Sequence, residues 1–466
     1  MTVHEALPGV GELVARTATT QHCPSISWGI VIDGALARAG STGAVQGAAP
    51  TADTVYRIAS MTKSFTSAAV LALRDEGVLS LDDPITLHAP ELAAVAPPTI
   101  DGGPIRVRHL LSMSGGMATD DPWADRHIDI TDDELDAVLA DGVLFAGVTG
   151  SSCEYSNLGF GLLGRIVKRA TGRRVQDLVS ERLLGPLGMD RTSWLPPRHD
   201  DWARPFRVQD GAAVADRGAP LGDGEIAPMG GIWTTVADLA RWVAWLDDAT
   251  PARDGIDDGP LCRASRREMQ EIQRYAGMRS LAGRPTPSGY GFGLWVSHEP
   301  SLGRVVGHSG GFPGYGSNMR WIAGRRVGVI ALANVTYAPM ADLTMRIIDV
   351  LHDHDALPRA PVLDSPLLLD IAGRLIDLLQ DWHDEVADEL FADNVVLDEP
   401  YDRRRIASER LVAECGGSLH LERVEATTAT EGRLVLRRPS GTPLRMKVQI
   451  APTRPPRVQL YEPESD

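Results

Sequence analysis

No stretch of the 466-residue chain approaches the roughly 18–20 consecutive apolar residues that a membrane-spanning helix needs. Cysteine is scarce. The four present (Cys23, Cys153, Cys262 and Cys415) lie far apart with no CxxC pair. That spacing argues against a disulfide framework or a zinc site and fits reduced thiols. Positive charge is in deficit, with 46 Lys and Arg against 62 Asp and Glu and a net charge of −16. Such a surface repels phosphate backbones and anionic lipid, so neither nucleic acid nor a membrane is expected as partner. HExxH and P-loop patterns are missing, and the expectation is chemistry without a metal, nucleotide or flavin cofactor. The opening segment MTVHEALPGVGELVARTATTQHC carries Glu5 and Glu12 and no apolar block. It does not read as a secretory signal, and the expectation is a cytoplasmic protein.

The composition is that of a globular chain: 43% hydrophobic and 23% charged. At roughly 150 residues per domain the length allows about three domains. Residues 25–60 read as strands and turns (ISWGIVIDG, ALARAGSTG, VYRIA), and Ser60–Glu76 as a helix with apolar residues at helical spacing, stopped by Gly77. Helices fill the middle. LGFGLLGRIVKRATG ends at Gly172, and WTTVADLARWVAWLD has Thr235 in the N-cap position. The period returns to that of strands in GYGFGLWV, RVVGHSG, SNMRWIA and VGVIALAN, followed by the apolar helix ADLTMRIIDVLHD. Strands at both ends with helices between them predict one antiparallel sheet and an inserted helical subdomain, an α+β architecture. The proline-rich stretch 355–366 predicts a linker, and 367–466 a small α+β domain of helices followed by alternating strands.

Three elements carry chemistry. Ser60-Met61-Thr62-Lys63 sets a hydroxyl and an amine three residues apart at a helix start, where they share a face. The helix N-terminus favours a developing alkoxide, and a serine needs such help to act as nucleophile. Taken alone, the motif reads more readily as a capping serine beside a solvated lysine. Tyr155-Ser156-Asn157 lies in a loop before a helix. A phenol near an ammonium can have its pKa depressed and serve as base or acid, and the Asn amide can orient a carbonyl or the lysine. Gly307-His308-Ser309-Gly310-Gly311 follows a strand, and its glycines let a substrate approach the strand edge while N–H groups face an oxyanion. The same five residues fit G-x-S-x-G, the nucleophile elbow with Ser309 as nucleophile. That elbow runs strand, turn, helix, whereas GFPGYGSNMRW leads into another strand.

In this order SMTK, YSN and HSG resemble the SxxK, YxN and (K/H)-x-G motifs of the penicillin-binding serine hydrolases: class C β-lactamases, D-alanyl-D-alanine carboxypeptidases, D-amino-acid-specific peptidases and β-lactamase-like esterases. Flanking segments such as GVLSLDDPI, IRVRHLLSMSGGM and PMGGIWTTVADLARW agree, and the resemblance covers roughly residues 10–352. It implies a β-lactamase/transpeptidase-like domain over 1–354, with Ser60 acylated, Lys63 taking or relaying its proton, and Tyr155 as general base that then protonates the leaving group. It further implies that Asn157, His308 and Gly310 bind substrate and that the N–H groups of Ser60 and Gly311 form the oxyanion hole. His308 replaces the lysine of many β-lactamases, a form more typical of the family's peptidases and esterases. A neutral histidine pulls less on a substrate carboxylate.

The expectation is therefore a serine hydrolase working through an acyl-enzyme on a small ester or amide, first an esterase. A D-amino-acid peptidase or amidase, a weak β-lactamase, and a catalytically silent binding protein are the alternatives, and a homo-oligomer is compatible with all of them. The C-terminal residues suggest a ketosteroid-isomerase-like cone. His109 reads as a packed or surface histidine, and His352, Asp353, His354 and Asp355 as a solvated helix end. Trp123, Trp194, Trp202, Trp233 and Trp295 read as core or interface anchors more readily than as pocket walls.

Overall fold

The computed structural model describes residues 3–95, 99, 101–198, 201–358 and 364–464. It divides into two compact units, Met1–Arg359 and Ala360–Asp466. The division falls inside the expected linker, of which 359–363 lie outside the described residues.

The first unit opens with helix α1 (Val3–Thr20) and the hairpin β1 (Ser25–Ile32) and β2 (Ala35–Gly43). The short β3 (Tyr56–Arg57) leads through a single 3-10 turn, Ala59–Met61, into helix α2 (Thr62–Asp75). A hairpin of β4 (Phe206–Gln209) and β5 (Ala212–Ala215) precedes β6 (Trp233–Thr234), which pairs with β3. The chain then runs through β7 (Arg274–Leu281), β8 (Arg284–Tyr290), β9 (Trp295–Glu299), β10 (Gly303–Phe312), β11 (Tyr315–Ile322) and β12 (Val327–Ala333) to the helix Met340–Asp353. Eight strands form one antiparallel sheet in the order β2-β1-β12-β11-β10-β9-β8-β7, so β1 from the start of the unit pairs with β12 from its end.

The central strands are apolar because they are covered on both sides. On β12, Val327, Val329, Ala331 and Ala333 face a core shared with α1 and the helix Met340–Asp353, while Ile330 and Leu332 face the core built around α2. Helix α2 is buried throughout from Thr62 to Leu73. Its hydroxyls find partners: Ser64 Oγ donates to the Met61 carbonyl (2.8 Å) and Thr66 Oγ1 to the Pro228 carbonyl (2.7 Å). Phe65 stacks on Trp242 at 3.8 Å, locking α2 against the helix Val236–Asp247, which Thr235 caps through Asp238 N–H. The helix Asn157–Thr171 ends at Gly172, whose φ of 71° is the left-handed C-terminal conformation glycine permits.

Sequence periodicity missed the β7–β8 hairpin. Its residues RYAGMRSLAGRPTPSGY carry arginines and two prolines, Pro285 and Pro287, which lie on the part of β8 that pairs with β7 alone, since β9 joins only at Ser288–Tyr290. The second unit packs the helices Pro366–Gln380 and Tyr401–Glu414 with a four-stranded antiparallel sheet. Its strands are β13 (Leu421–Ala426), β14 (Glu431–Leu436), β15 (Leu444–Ile450) and β16 (Val458–Pro463), in sequence order. Leu368, Ile371, Leu375, Leu434, Met446 and Val448 make its own core. No helix among the described residues is long and apolar enough to cross a membrane.

Candidate active site

Ser60 sits in the 3-10 turn that leads into α2, directly after Ala59, whose φ of 48° is left-handed. That conformation costs a non-glycine residue roughly 1–2 kcal/mol and persists only where surroundings impose it. Here Ile58 is pinned on both sides: its N–H donates to the Ile232 carbonyl (3.0 Å) and its carbonyl accepts from Ser317 Oγ (2.8 Å).

One helical turn on, the fully buried Lys63 Nζ has three polar neighbours: Ser60 Oγ (3.0 Å), Asn157 Oδ1 (2.6 Å) and the Met229 carbonyl (2.9 Å). Two of these can only accept. An amine therefore gives N–H bonds to Asn157 and Met229 whether charged or neutral. Toward Ser60 it presents a proton when charged and a lone pair when neutral. Burial brings Lys63 down to about 8, with Asp121, Asp120 and Asp125 pulling the other way. The neutral, base form is thus accessible near neutral pH.

Tyr155 hydrogen-bonds Ser60, and its ring lies 4.9 Å from Lys63 Nζ. The sequence reading had the lysine depressing this phenol. The structure raises it well above its usual value, first by burial and then by the Asp121 charge. Tyr155 is therefore a proton donor at rest. Asn157 takes one of the two roles open to its amide, that of orienting the lysine. Its Nδ2 donates to Asp121 Oδ1 (2.7 Å) and Asp120 Oδ1 (3.2 Å) while its Oδ1 holds Lys63, so both ends of the amide are occupied and it positions the lysine. Asp120 also accepts from the N–H groups of Asn157 and Leu158. Asp121 opens the short helix Asp121–Arg126, and Asp120 precedes it.

His308 lies on β10, buried, on the cavity wall. Its Nδ1 faces the Ser309 carbonyl at 2.6 Å and must carry the proton, which leaves Nε2 to accept from Tyr290 O–H (2.9 Å). Burial, reinforced by Lys63, brings His308 down to about 3, so it is neutral. Gly310 is not on the cavity wall. A Cβ there would stand 2.0 Å from the Ile58 carbonyl, so glycine lets β10 close on the strand leading to Ser60. Gly311 does line the cavity with Ser60, and a Cβ on it would meet the Tyr337 ring at 2.6 Å. Ser309 is mid-strand, its Oγ accepting from Asn318 Nδ2 (3.0 Å), which is not the geometry of a nucleophile elbow.

The cavity has a volume of about 410 Å³, and Ser60, Tyr155, Trp295, His308 and Gly311 are on its wall. Trp295 lies parallel to Tyr155 at 6.4 Å, whereas Trp194, Trp202 and Trp233 belong to the core. Nδ1 of His109 accepts from the Arg106 N–H at the start of its own helix. Among the described residues no group of three His, Cys, Asp or Glu side chains could hold a metal ion.

A serine and a buried lysine at the start of a central helix, facing an antiparallel sheet strand, define a class of protein: the serine hydrolases of the β-lactamase fold. The family model described as Beta-lactamase matches residues 10–352, and the chain belongs to that family. Among curated relatives, the D-alanyl-D-alanine-carboxypeptidase/endopeptidase AmpH of Escherichia coli K12 is 29% identical over 358 residues, covering 72% of this chain and 88% of its own length. Esterase EstB of Burkholderia gladioli is 28% identical, covering 64% and 82%. Penicillin-binding protein 4* of Bacillus subtilis is 25% identical, covering 60% and 61%. The solved structure titled as the octameric penicillin-binding protein homologue from Pyrococcus abyssi shares the fold, with a TM-score of 0.63 at 18% identity, over 98% of this chain and 100% of its own.

Proposed function

We propose that the protein is a serine hydrolase acting through an acyl-enzyme on Ser60, first an esterase on small acyl esters. The observation that carries this reading is the Lys63 arrangement, a buried amine whose remaining bonding direction points at Ser60 Oγ. Ser60 Oγ attacks the carbonyl carbon as its proton passes to the neutral Lys63 amine. The N–H groups of Ser60 and Gly311 take the developing oxyanion. Collapse expels the leaving group, which takes a proton through the Tyr155 phenol, itself resupplied by Lys63. Water then enters and the same groups release the acid. Neutral His308 supplies no cation for a substrate carboxylate, which supports esters ahead of β-lactams. A D-amino-acid peptidase or amidase is the second reading, favoured by the carboxypeptidase/endopeptidase among the relatives.

The test is hydrolysis of p-nitrophenyl butyrate, a chromogenic cephalosporin and a D-alanine p-nitroanilide, together with labelling by a serine-directed phosphonate. Turnover of the ester and labelling, both lost in Ser60→Ala, is the expected result. Undiminished labelling of Ser60→Ala removes the nucleophile assignment.

A further inference from the structure

The acyl-enzyme chemistry gives no part to Tyr337 or Asp125, yet a bond between them joins the sheet to the helices beside Ser60. Tyr337 stands in the loop between β12 and the helix Met340–Asp353, in a left-handed conformation with φ of 52°. A tyrosine is strained there, and its surroundings must impose the conformation. The Tyr337 N–H donates to the Tyr315 carbonyl (3.0 Å). The preceding Thr336 is held on the Phe206 carbonyl, which accepts from its N–H (2.9 Å) and its Oγ1 (3.1 Å). The backbone fixed in this way lays the Tyr337 ring on Gly311, where only the missing Cβ leaves room for it, and the ring is part of the cavity wall.

The phenol reaches the helical side. Its O–H donates to Asp125 Oδ2 (2.7 Å), and Asp125 is buried on the short helix Asp121–Arg126, whose first residue Asp121 also lines the cavity. With 48% of its surface exposed, Tyr337 is not held by packing alone, and this bond fixes the outer end of the ring.

The place of the ring along β10 assigns the part of the substrate it meets. β9 pairs with β10 as far as Gly307, which lies opposite Trp295. Tyr155 runs parallel to Trp295, so the proton donor for the leaving group belongs to that end of the cavity. Tyr337 meets the strand at Gly311, four residues or about 13 Å farther along. A leaving group departing toward Tyr155 leaves the Gly311 end to the acyl chain. A ring tied down at that end sets how long the chain can be.

We propose that Tyr337, tied to Asp125, is a specificity-determining residue that closes the acyl end of the cavity and restricts the substrate to short acyl groups. This rests on the acyl-enzyme reading of Ser60 and adds the class of acyl group to it.

The experiment measures kcat/KM for p-nitrophenyl acetate, butyrate and octanoate, which share a leaving group and differ only in the acyl chain. The wild-type protein is expected to favour butyrate over octanoate at least about tenfold. In Tyr337→Ala that ratio should fall by about tenfold or more, through a gain on octanoate. Damage to the fold would lower all three esters alike and leave the ratio where it was. Asp125→Ala removes the acceptor and frees the ring, so it should lower the ratio too. Asp125→Asn keeps an oxygen that accepts from the phenol and should keep the wild-type ratio. A wild-type protein indifferent to chain length, or a ratio that Tyr337→Ala leaves unchanged, overturns the proposal. If Tyr337→Ala does not fold, Tyr337→Gly, which suits the left-handed backbone, is read in its place. Ser60→Ala separates the two readings. Turnover that persists in it removes the nucleophile assignment, whereas turnover lost in it beside an unchanged ratio in Tyr337→Ala removes the role of Tyr337 alone. Should no ester turn over, the ratio is read from the rates at which p-nitrophenyl esters of butyl- and octylphosphonate label the protein. Equal rates, or no labelling, overturn the proposal.

Discussion

At the scale of single residues, two buried groups set the pH behaviour, and they act in opposite directions. Lys63 must be neutral to accept the Ser60 proton, and burial brings it to about 8. With an ester substrate, kcat/KM is therefore expected to rise about tenfold per pH unit below that value and level off above it, as a stopped-rate profile from pH 6 to 9.5 would show. Asp125 is pushed up to about 7 by burial, against an ordinary value of 3.8, while its carboxylate oxygen accepts from Tyr337 O–H at 2.7 Å. The folded state holds a proton on Asp125 that the unfolded chain has released, so this group's stabilisation is lost as pH rises from about 4 to about 7. Asp125→Asn is accordingly expected to melt at a higher temperature than wild type at pH 8, with the difference vanishing near pH 4. A difference constant across that range would show that Asp125 does not titrate in the folded protein.

The elements matter through how closely they approach. Helix α2 brings Ser60 and Lys63 to one face, but the site needs β10 to close against the segment preceding Ser60, and Gly310 makes that approach possible. Gly310→Ala would set a methyl group 2.0 Å from the Ile58 carbonyl. The backbone must shift, with an expected loss of about 1–3 kcal/mol in stability from overpacking. Because Ile58 also holds the strained Ala59, misplacement of Ser60 should reduce kcat/KM about a hundredfold. Denaturant titration and ester kinetics on the same variant check both, and wild-type kinetics in a destabilised Gly310→Ala would separate the glycine from the site. The edge hairpin of β7 and β8 has a different part. It carries Arg279 to the cavity and is the element whose strand character its own residues conceal.

For the whole molecule, the two units each have a separate set of buried residues, one around the eight-stranded sheet and one around β13–β16. A chain ending at residue 358 keeps both cores of the first unit and every residue assigned to the chemistry. Such a chain is expected to fold cooperatively and to retain phosphonate labelling of Ser60 at the wild-type rate. Calorimetry of the full chain should resolve two transitions, of which the shorter chain lacks one. Failure of the 358-residue chain to be labelled would make the second unit part of the working site.

The residues that carry the proposed chemistry were legible in the linear chain as three short motifs, SMTK, YSN and HSG, whose roles came from their joint resemblance to a known family and not from the spacing of any one of them. The apolar run VGVIALAN, the Thr235 cap and the Gly172 stop depend only on near neighbours, and they carried the α+β plan. Three properties came only from tertiary structure. Lys63 and Tyr155 owe their proton affinities to burial and to Asp120, Asp121 and Asp125, which the fold brings up on the short helix Asp121–Arg126 and the residue before it. Of the two roles open to Asn157, orienting a carbonyl or the lysine, the fold selects the lysine, because its Oδ1 meets Lys63 and its Nδ2 meets Asp121. Gly310 is required because folding closes β10 on the Ile58 carbonyl, a contact that no local spacing announces. Spacing determines which groups share a face. Desolvation and charge, which decide what those groups do, depend on residues that only folding brings near.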